Sequence, residues 1–363
     1  MSSRRRILVG AVPVGGGAPV AVQSMTCTRT GDADATLAQV RALAAAGCEL
    51  VRVSLPTAEE TPAFARVVHE AGLPIIADIH FDWRLALAAI DAGAAGVRIN
   101  PGTMAEKHVR EIVQAAADAR VRGPAGEPDV PVAIRIGVNA GSLPRDLRDR
   151  AATDVPGALV EAALRWADQF EGWDFTSYKL SVKSSSVPDT IAAYRLLAKK
   201  TEAPLHVGVT EAGTVWSGTI KSAVGIGTLL ADGVGDTIRV SLTGDPVEEV
   251  RAAWQILAAL GLRRRGPEVI SCPTCGRTEV DIVGLAEEVE RRLGSDPALA
   301  GRVISVAVMG CRVNGPEEAR HADYGIAAGA GEGVLFDHGE RVATLPEAQL
   351  LDALLELVRG PAV

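Results

Sequence analysis

Eight times between residues 20 and 260, a short apolar, β-branched run gives way to a longer Ala- and Leu-rich stretch of helical period. No other feature of the chain restricts its fold so strongly. The apolar runs fall at residues 20–25, 50–55, 74–79, 96–99, 132–137, 177–182, 205–209 and 237–242. The helical stretches fall at 35–46, 58–71, 84–92, 105–121, 157–170, 189–200, 219–231 and 246–260. A strand covered on both faces reads as a continuous apolar run, and strands that alternate with helices build a parallel sheet. Several helical stretches stop at a glycine, as at Gly47, Gly72, Gly93 and Gly233, where a left-handed residue ends a helix. Eight such units over about 240 residues is the arithmetic of a (β/α)8 TIM barrel, in the α/β class. A doubly wound sheet is the rival, but no glycine-rich dinucleotide fingerprint follows the first strand. Ahead of the barrel, residues 7–20 read as a hairpin turning at Gly15-Gly16-Gly17, placed to plug the barrel floor.

The strand ends carry a second signal. Read in order they present Arg52, Asp78 with His80, Arg98 with Asn100, Arg135, Lys179 with Ser181, His206, and Arg239 with Ser241. Polar residues two apart share one strand face, and in a barrel that face is the interior. A single arginine there pairs with an acid. Six Lys or Arg at equivalent strand ends, counting Lys183 beside Lys179, form a sink for a multiply charged anion, and Arg forks suit phosphate oxygens. The chain's net charge is −8, so the cations are a local cluster and not the stripe of a general nucleic-acid binder. Glu211 follows the seventh strand, where a carboxylate facing an anion sink binds a hydroxyl, donates a proton or neutralises a cation. No apolar stretch reaches membrane-spanning length. The five cysteines are an odd number, which suits reduced thiols in a cytoplasmic setting better than a disulfide framework.

Beyond residue 260 the pattern changes. Residues 261–267 read as a solvated basic linker, dividing a barrel domain at 1–262 from a smaller α/β domain at 267–363. The second domain opens on Cys272-Pro273-Thr274-Cys275, a knuckle that turns two sulfurs toward one metal. A helix at 278–293 and a strand at 303–309 lead to Cys311, after a 35-residue gap from Cys275. A Gly-rich tail with Val334-Leu335-Phe336 and an amphipathic helix at 345–359 follow. Three thiolates without an evident fourth fit an iron–sulfur cluster better than closed zinc, with Glu317 or Glu318 near the open position. The zinc alternative recruits His321, and its function class is a non-redox barrel enzyme on a phosphorylated or pterin substrate. Cys48 reads as a buried core thiol, and Cys27 as a loop residue near the strand ends.

The motifs together resemble the 4-hydroxy-3-methylbut-2-enyl diphosphate synthases, the iron–sulfur oxidoreductases of the non-mevalonate isoprenoid pathway, in their compact bacterial form. The resemblance rests on Val12-Pro13-Val14-Gly15-Gly16-Gly17-Ala18-Pro19, Val22-Gln23-Ser24-Met25-Thr26, Ala77-Asp78-Ile79-His80-Phe81-Asp82 and Arg98-Ile99-Asn100-Pro101-Gly102. It continues through Arg135-Ile136-Gly137-Val138-Asn139-Ala140-Gly141-Ser142, Asp245-Pro246-Val247-Glu248-Glu249, the cysteine knuckle and the Gly310-Cys311-Arg312-Val313-Asn314-Gly315-Pro316 loop. It implies a two-electron reductive ring opening of 2-C-methyl-D-erythritol 2,4-cyclodiphosphate with loss of water. It also implies a 4Fe–4S cluster on Cys272, Cys275, Cys311 and Glu318, the glutamate seven residues after the third cysteine. Asn139 joins the substrate ligands, and Glu211 lies near the reacting carbon. A homodimer is implied, with one subunit's barrel facing the partner's cluster domain, and a flavodoxin- or ferredoxin-type electron donor. Two positions depart from the family pattern: Glu317 replaces a glycine and Cys27 an asparagine.

Overall fold

The apolar runs become strands because both faces of each are covered, and five of the helices between them start at side-chain caps. Asp32, Asp82, Asp154, Ser186 and Asp245 each accept a backbone N–H of the first turn that follows, which satisfies a donor that a helix leaves open. The computed structural model describes residues 3–311 and 314–360, so Met1, Ser2, Arg312, Val313, the last three residues and the side chain of Ser142 lie outside the described residues. The chain divides into two units, Met1–Arg263 and Arg264–Val363.

The first unit opens with an antiparallel hairpin, β1 (Arg6–Val9) and β2 (Val12–Gly15). Then come β3 (Ala21–Met25), α1 (Ala33–Ala46), β4 (Leu50–Ser54), α2 (Thr61–Glu70), β5 (Ile75–Asp78), α3 (Trp83–Asp91), β6 (Gly96–Ile99) and α4 (Glu106–Asp118). The second half holds β7 (Ala133–Asn139), α5 (Arg145–Ala151), α6 (Val155–Gly172), β8 (Tyr178–Lys183), α7 (Val187–Leu197), β9 (His206–Val207), α8 (Val215–Ala231), β10 (Thr237–Ile238) and α9 (Pro246–Ala259). The strands run parallel in the order β8-β7-β6-β5-β4-β3-β10-β9, and a bridge between Leu180 and Leu205 closes the ring. This is the TIM barrel that the alternation predicts.

Side-chain parity sorts the barrel into layers. Outward residues such as Val51, Val53, Ala77, Val97, Ile134, Ile136, Leu180 and Val182 join the helices in the main core. Inward residues of the lowest layer, Ala21, Leu50, Ile76 and Ala133, pack on Ile7, Val9 and Val14 of the hairpin. The floor is therefore an apolar plug. One step up, the inward positions turn polar and stay buried, from Gln23 and Arg52 to His206 and Thr237.

Three features differ from the sequence expectation. Helix α5 is additional, a short helix of mainly charged residues with Leu147 as its buried anchor. Strands β9 and β10 are only two residues each. They stop where Gly208 brings backbones together: a Cβ there would lie 2.5 Å from the Arg239 carbonyl oxygen and 2.7 Å from the Lys183 ammonium. Arg263 is not a solvated linker residue. Its guanidinium donates to both oxygens of Glu49 at 2.7 and 3.0 Å and to the Val20 carbonyl at 2.7 Å, and it stacks on Trp254. The last residue of the unit is thus anchored at the N-terminal end of the barrel.

The second unit is a five-stranded mixed sheet in chain order: β11 (Glu268–Ser271), β12 (Ser305–Met309), β13 (Tyr324–Gly329), β14 (Glu332–Asp337) and β15 (Glu340–Pro346). The first three strands are parallel and the last two antiparallel to their neighbours. One sheet face packs α10 (Ile282–Ser295) and α12 (Glu347–Arg359) through Val289, Leu293, Val306, Val308, Ile326, Leu350 and Leu354. The other packs α11 (Gly315–Ala319) through Ala307, Met309, Ala319 and Phe336. The sequence expectation of a Gly-rich tail missed the antiparallel strands.

Gly15 closes the plug at φ +80°, with an added Cβ only 2.3 Å from the Arg5 carbonyl oxygen. Replacing it with alanine should destabilise the barrel by about 2 kcal/mol or more, since both backbone conformation and space refuse a side chain. Urea unfolding reads the loss, and an unchanged midpoint would contradict the assignment of the plug.

Candidate active site

The middle interior layer gathers most of the strand-end residues around one carboxylate. Asp78 ends β5, and its Oδ1 lies 3.6 Å from Arg52 Nε and 3.5 Å from Arg98 Nη1. Its Oδ2 meets His80 Nε2 at 3.1 Å, and His80 Nδ1 lies 3.5 Å from Arg98 Nη1. Arg52 also donates to Met25 Sδ at 2.9 Å through Nη2. Arg135 stands beside Arg98 in the β6–β7 register, and Lys179 beside Arg135 in the β7–β8 register. Arg52, Asp78, Arg98, Arg135 and Lys179 are all buried, whereas the His80 side chain is 58% exposed at the rim. Asn100 is buried and its Oδ1 accepts the Gly102 N–H. Asn139 and Lys183 face each other at the ends of β7 and β8.

Depth separates residues that the sequence treats alike. Lys179 and His206 share Thr237 Oγ1, at 3.4 and 3.2 Å, in the same layer as Arg135 and below the mouth. Lys183, two steps further along β8 than Ser181, lies against Gly208 and is buried. The sequence places Lys183 in the cation set through its spacing of two from Ser181, and the structure buries it there. Ser181 is buried, and Ser241 is half-buried after β10. Arg239 is engaged, with Nε and Nη2 on the two oxygens of Glu249. Glu211 is exposed in the loop after β9 with φ +53°, a left-handed conformation costly for a residue with a side chain.

Electrostatics follow from a cluster of buried Lys and Arg side chains around the buried Asp78. Burial alone would raise the Asp78 carboxyl, but Arg52, the His80 hydrogen bond, Arg98 and Arg135 hold it below the usual carboxylate range. Burial pushes Arg52 down to about 10 and Lys179 down to about 7, with Arg135 adding to the second shift. Burial, then Arg135, Arg239, Arg52 and Arg98, lower Lys183. His206 is lowered by burial and by Lys183, Arg135, Lys179 and Arg52, so its imidazole is neutral. Arg135 Nε and Nη1 and Arg98 Nε are buried donors with no hydrogen-bond partner among the described residues. Buried, charged donors without acceptors are costly, and a bound anion of two or more charges removes that cost.

In the second unit Cys272 follows β11 and Cys311 follows β12, two parallel neighbours. The Gly310 N–H donates to Cys272 Sγ at 3.3 Å. The Cys275 N–H donates to Thr278 Oγ1 at 3.0 Å, closing the knuckle. Among the described residues Cys27, Cys48, Cys272 and Cys275 form no disulfide. Glu318 lies on α11, and its neighbour Glu317 pairs with Arg320 at 3.6 Å. Among the described residues no three His, Cys, Asp or Glu side chains are gathered at ligating distance, so the structure places two cysteines at adjacent strand ends but does not assemble the full ligand set. The donor chemistry still fits an iron–sulfur cluster: cysteines on adjacent strand ends, one with a backbone N–H directed at its sulfur.

The family model described as the GcpE TIM-barrel domain matches residues 4–254, and that of the GcpE protein C-terminal domain matches residues 268–360. The chain belongs to the GcpE family. Relatives within it include the 4-hydroxy-3-methylbut-2-en-1-yl diphosphate synthase (flavodoxin) of Geobacter sulfurreducens, 53% identical over 97% of this chain and 96% of that one. The protein of the same name from Lawsonia intracellularis is 49% identical over 98% of this chain and 95% of that one. Among solved structures, the Burkholderia cenocepacia dihydropteroate synthase complexed with 7,8-dihydropteroate aligns with a TM-score of 0.50 at 12% identity, covering 72% of this chain and all of that one. That likeness is one of fold alone. The GcpE assignment spans both units, barrel and C-terminal domain, as the motifs led one to expect.

The barrel's buried lysines make anion binding a proton-linked event. Burial brings Lys179 to about 7, and an arriving anion favours its charged form, so binding should take up protons near neutral pH. Calorimetry with inorganic pyrophosphate in buffers of different ionisation enthalpy measures this, and proton release on binding would contradict it. The linked stability effect has a fixed sign. The unfolded lysine holds its proton up to about 10.4, so between about 7 and 10 the unfolded chain binds more protons. In that window this group's destabilisation shrinks as pH rises.

Proposed function

We propose that this GcpE-family chain opens the ring of 2-C-methyl-D-erythritol 2,4-cyclodiphosphate to give 4-hydroxy-3-methylbut-2-enyl diphosphate, a two-electron reduction with loss of water. Full-length similarity to relatives named for the product supports the reaction. The single structural observation that carries the substrate class is the buried cation set with unsatisfied Arg135 and Arg98 donors. Arg52, Arg98, Arg135, Lys179, Lys183 and Arg239 would neutralise the diphosphate, with Asn100, Asn139, Ser181, His206 and Ser241 as neutral partners. Fixing both phosphates leaves the carbon skeleton one orientation, so binding energy becomes positioning. Asp78 holds the Arg52 and Arg98 heads and the His80 ring in place.

Cys272, Cys275, Cys311 and Glu318 would hold a 4Fe–4S cluster, which when bound supplies electrons one at a time at low potential. A flavodoxin-type protein, as the relatives' names state, is the proposed donor. The proposed assembly is a homodimer in the cytoplasm that pairs one subunit's barrel with the partner's cluster unit; no helix among the described residues is long and apolar enough to cross a membrane. Glu211 is the proposed proton donor to the departing oxygen. Its left-handed backbone is strain of the kind that persists where surrounding structure and function demand it. The non-redox alternative, with zinc on the cysteines and His321, has no observation in its favour that the cluster reading lacks.

Iron, acid-labile sulfide and zinc on protein purified without oxygen test the cofactor, and ring-opening turnover with a low-potential reductant tests the reaction. About four irons and four sulfides per chain are expected. One zinc and no sulfide after attempted reconstitution would remove the redox reading. Replacing Glu211 with Gln should leave the cluster spectrum intact and lower kcat by about a hundredfold or more. Turnover near that of the unmodified enzyme would end the proton-donor role.

A further inference from the structure

A second buried carboxylate meets the cation set from outside the barrel. Glu249 lies on α9 and is only 3% exposed. It accepts four hydrogen bonds. Arg239 Nε reaches Oε2 at 3.2 Å and Arg239 Nη2 reaches Oε1 at 3.0 Å. Ser24 Oγ donates to Oε2 at 2.8 Å, and the Leu242 backbone N–H to Oε1 at 3.0 Å. One carboxylate thereby joins β3, the end of β10 and the loop residue next to Ser241. The ladder runs out there: β10 ends at Ile238, the Arg239 N–H still donates to the Val207 carbonyl at 3.1 Å, and the Leu242 N–H turns to Glu249. Glu249 supplies what the ladder does not.

The geometry of the pair matters for what Arg239 can still do. A two-point pairing through Nε and Nη2 fixes both the direction and the plane of the guanidinium. None of these bonds uses Nη1, so that corner can meet a second anion while the Glu249 edge stays occupied. Arg52 and Arg98 differ, since they share Asp78 through single, longer contacts.

We propose that Glu249 is a positioning residue, holding the Arg239 fork and the Ser241 loop in the arrangement that receives the substrate's diphosphate. The proposal rests on the reading of Arg239 and Ser241 as diphosphate ligands. Glu249 itself touches no reacting atom. Its effect belongs to substrate capture, and it passes through Arg239.

Steady-state kinetics of the holoenzyme with the cyclic diphosphate test this, with cluster content and melting temperature recorded for each variant. Glu249→Gln should raise KM about tenfold or more while kcat changes less than about threefold. Arg239→Ala should raise KM at least as much, and adding Glu249→Gln to it should change KM less than about twofold, because residues acting through one interaction are not additive. Should Glu249→Gln fail to fold, Ser24→Ala removes one of the four bonds and should raise KM about threefold. An unchanged KM in Glu249→Gln, or in Ser24→Ala if that stands in for it, overturns the proposal, as do effects that multiply in the double variant. An unchanged KM in Arg239→Ala fails at the earlier step: it removes Arg239 from the diphosphate site and the positioning role with it.

Discussion

The structure depends on keeping a cluster of Lys and Arg side chains dry around one acid. Close like charges in surroundings of intermediate polarity repel by roughly 4 kcal/mol per pair at about 4 Å, so the repulsion among Arg52, Arg98 and Arg135 is costly, and it adds to burial in lowering Lys179 and Lys183. Asp78 offsets only part of it. The rest is borne by the barrel's covalent and apolar frame: a parallel ladder closed at Leu180 and Leu205, an outer core shared with the helices, and a hairpin that seals the floor. Stability is made at the floor and periphery and used in the middle layer, as expected where a site is preorganised for charge.

The two acids that meet the cations do so by different routes. Asp78 rises from a strand inside the barrel, while Glu249 reaches in from a helix where the β10 ladder stops. Each fixes arginine heads without consuming all their donors. Arg135 has no such partner, and its open N–H groups mark where an incoming anion is needed most.

Much of this was legible in the sequence because periodicity reports faces. The run–helix alternation specified the barrel, and residues two apart at strand ends specified the inward set from Arg52 to Ser241. Parity does not report depth, however. It could not tell that His206, on another strand, meets Lys179 at Thr237, because that depends on strand stagger. Nor could it pair Arg239 with Glu249, a contact between a strand end and the next helix. The two-residue strands β9 and β10 were overcalled because apolar composition continues past the point where Gly208 and the Lys183 ammonium end the ladder. Helix α5 carries only one buried anchor, too little for a hydrophobic period. In the second unit, Gly-rich stretches hid β14 and β15, since glycine at a hairpin turn and glycine in a loop look alike in composition. Arg263 belonged to a basic run, and nothing local signals its clamp on Glu49.

The hairpin floor has one further consequence. A barrel sealed by Ile7, Val9 and Val14 is a vessel with a single mouth. Whatever enters the charged layer must leave by the same opening, and the traffic is therefore strictly sequential: one occupant departs before the next arrives. Filling and emptying the well thus become coupled events, and a product that keeps its diphosphate competes with fresh substrate for the whole site.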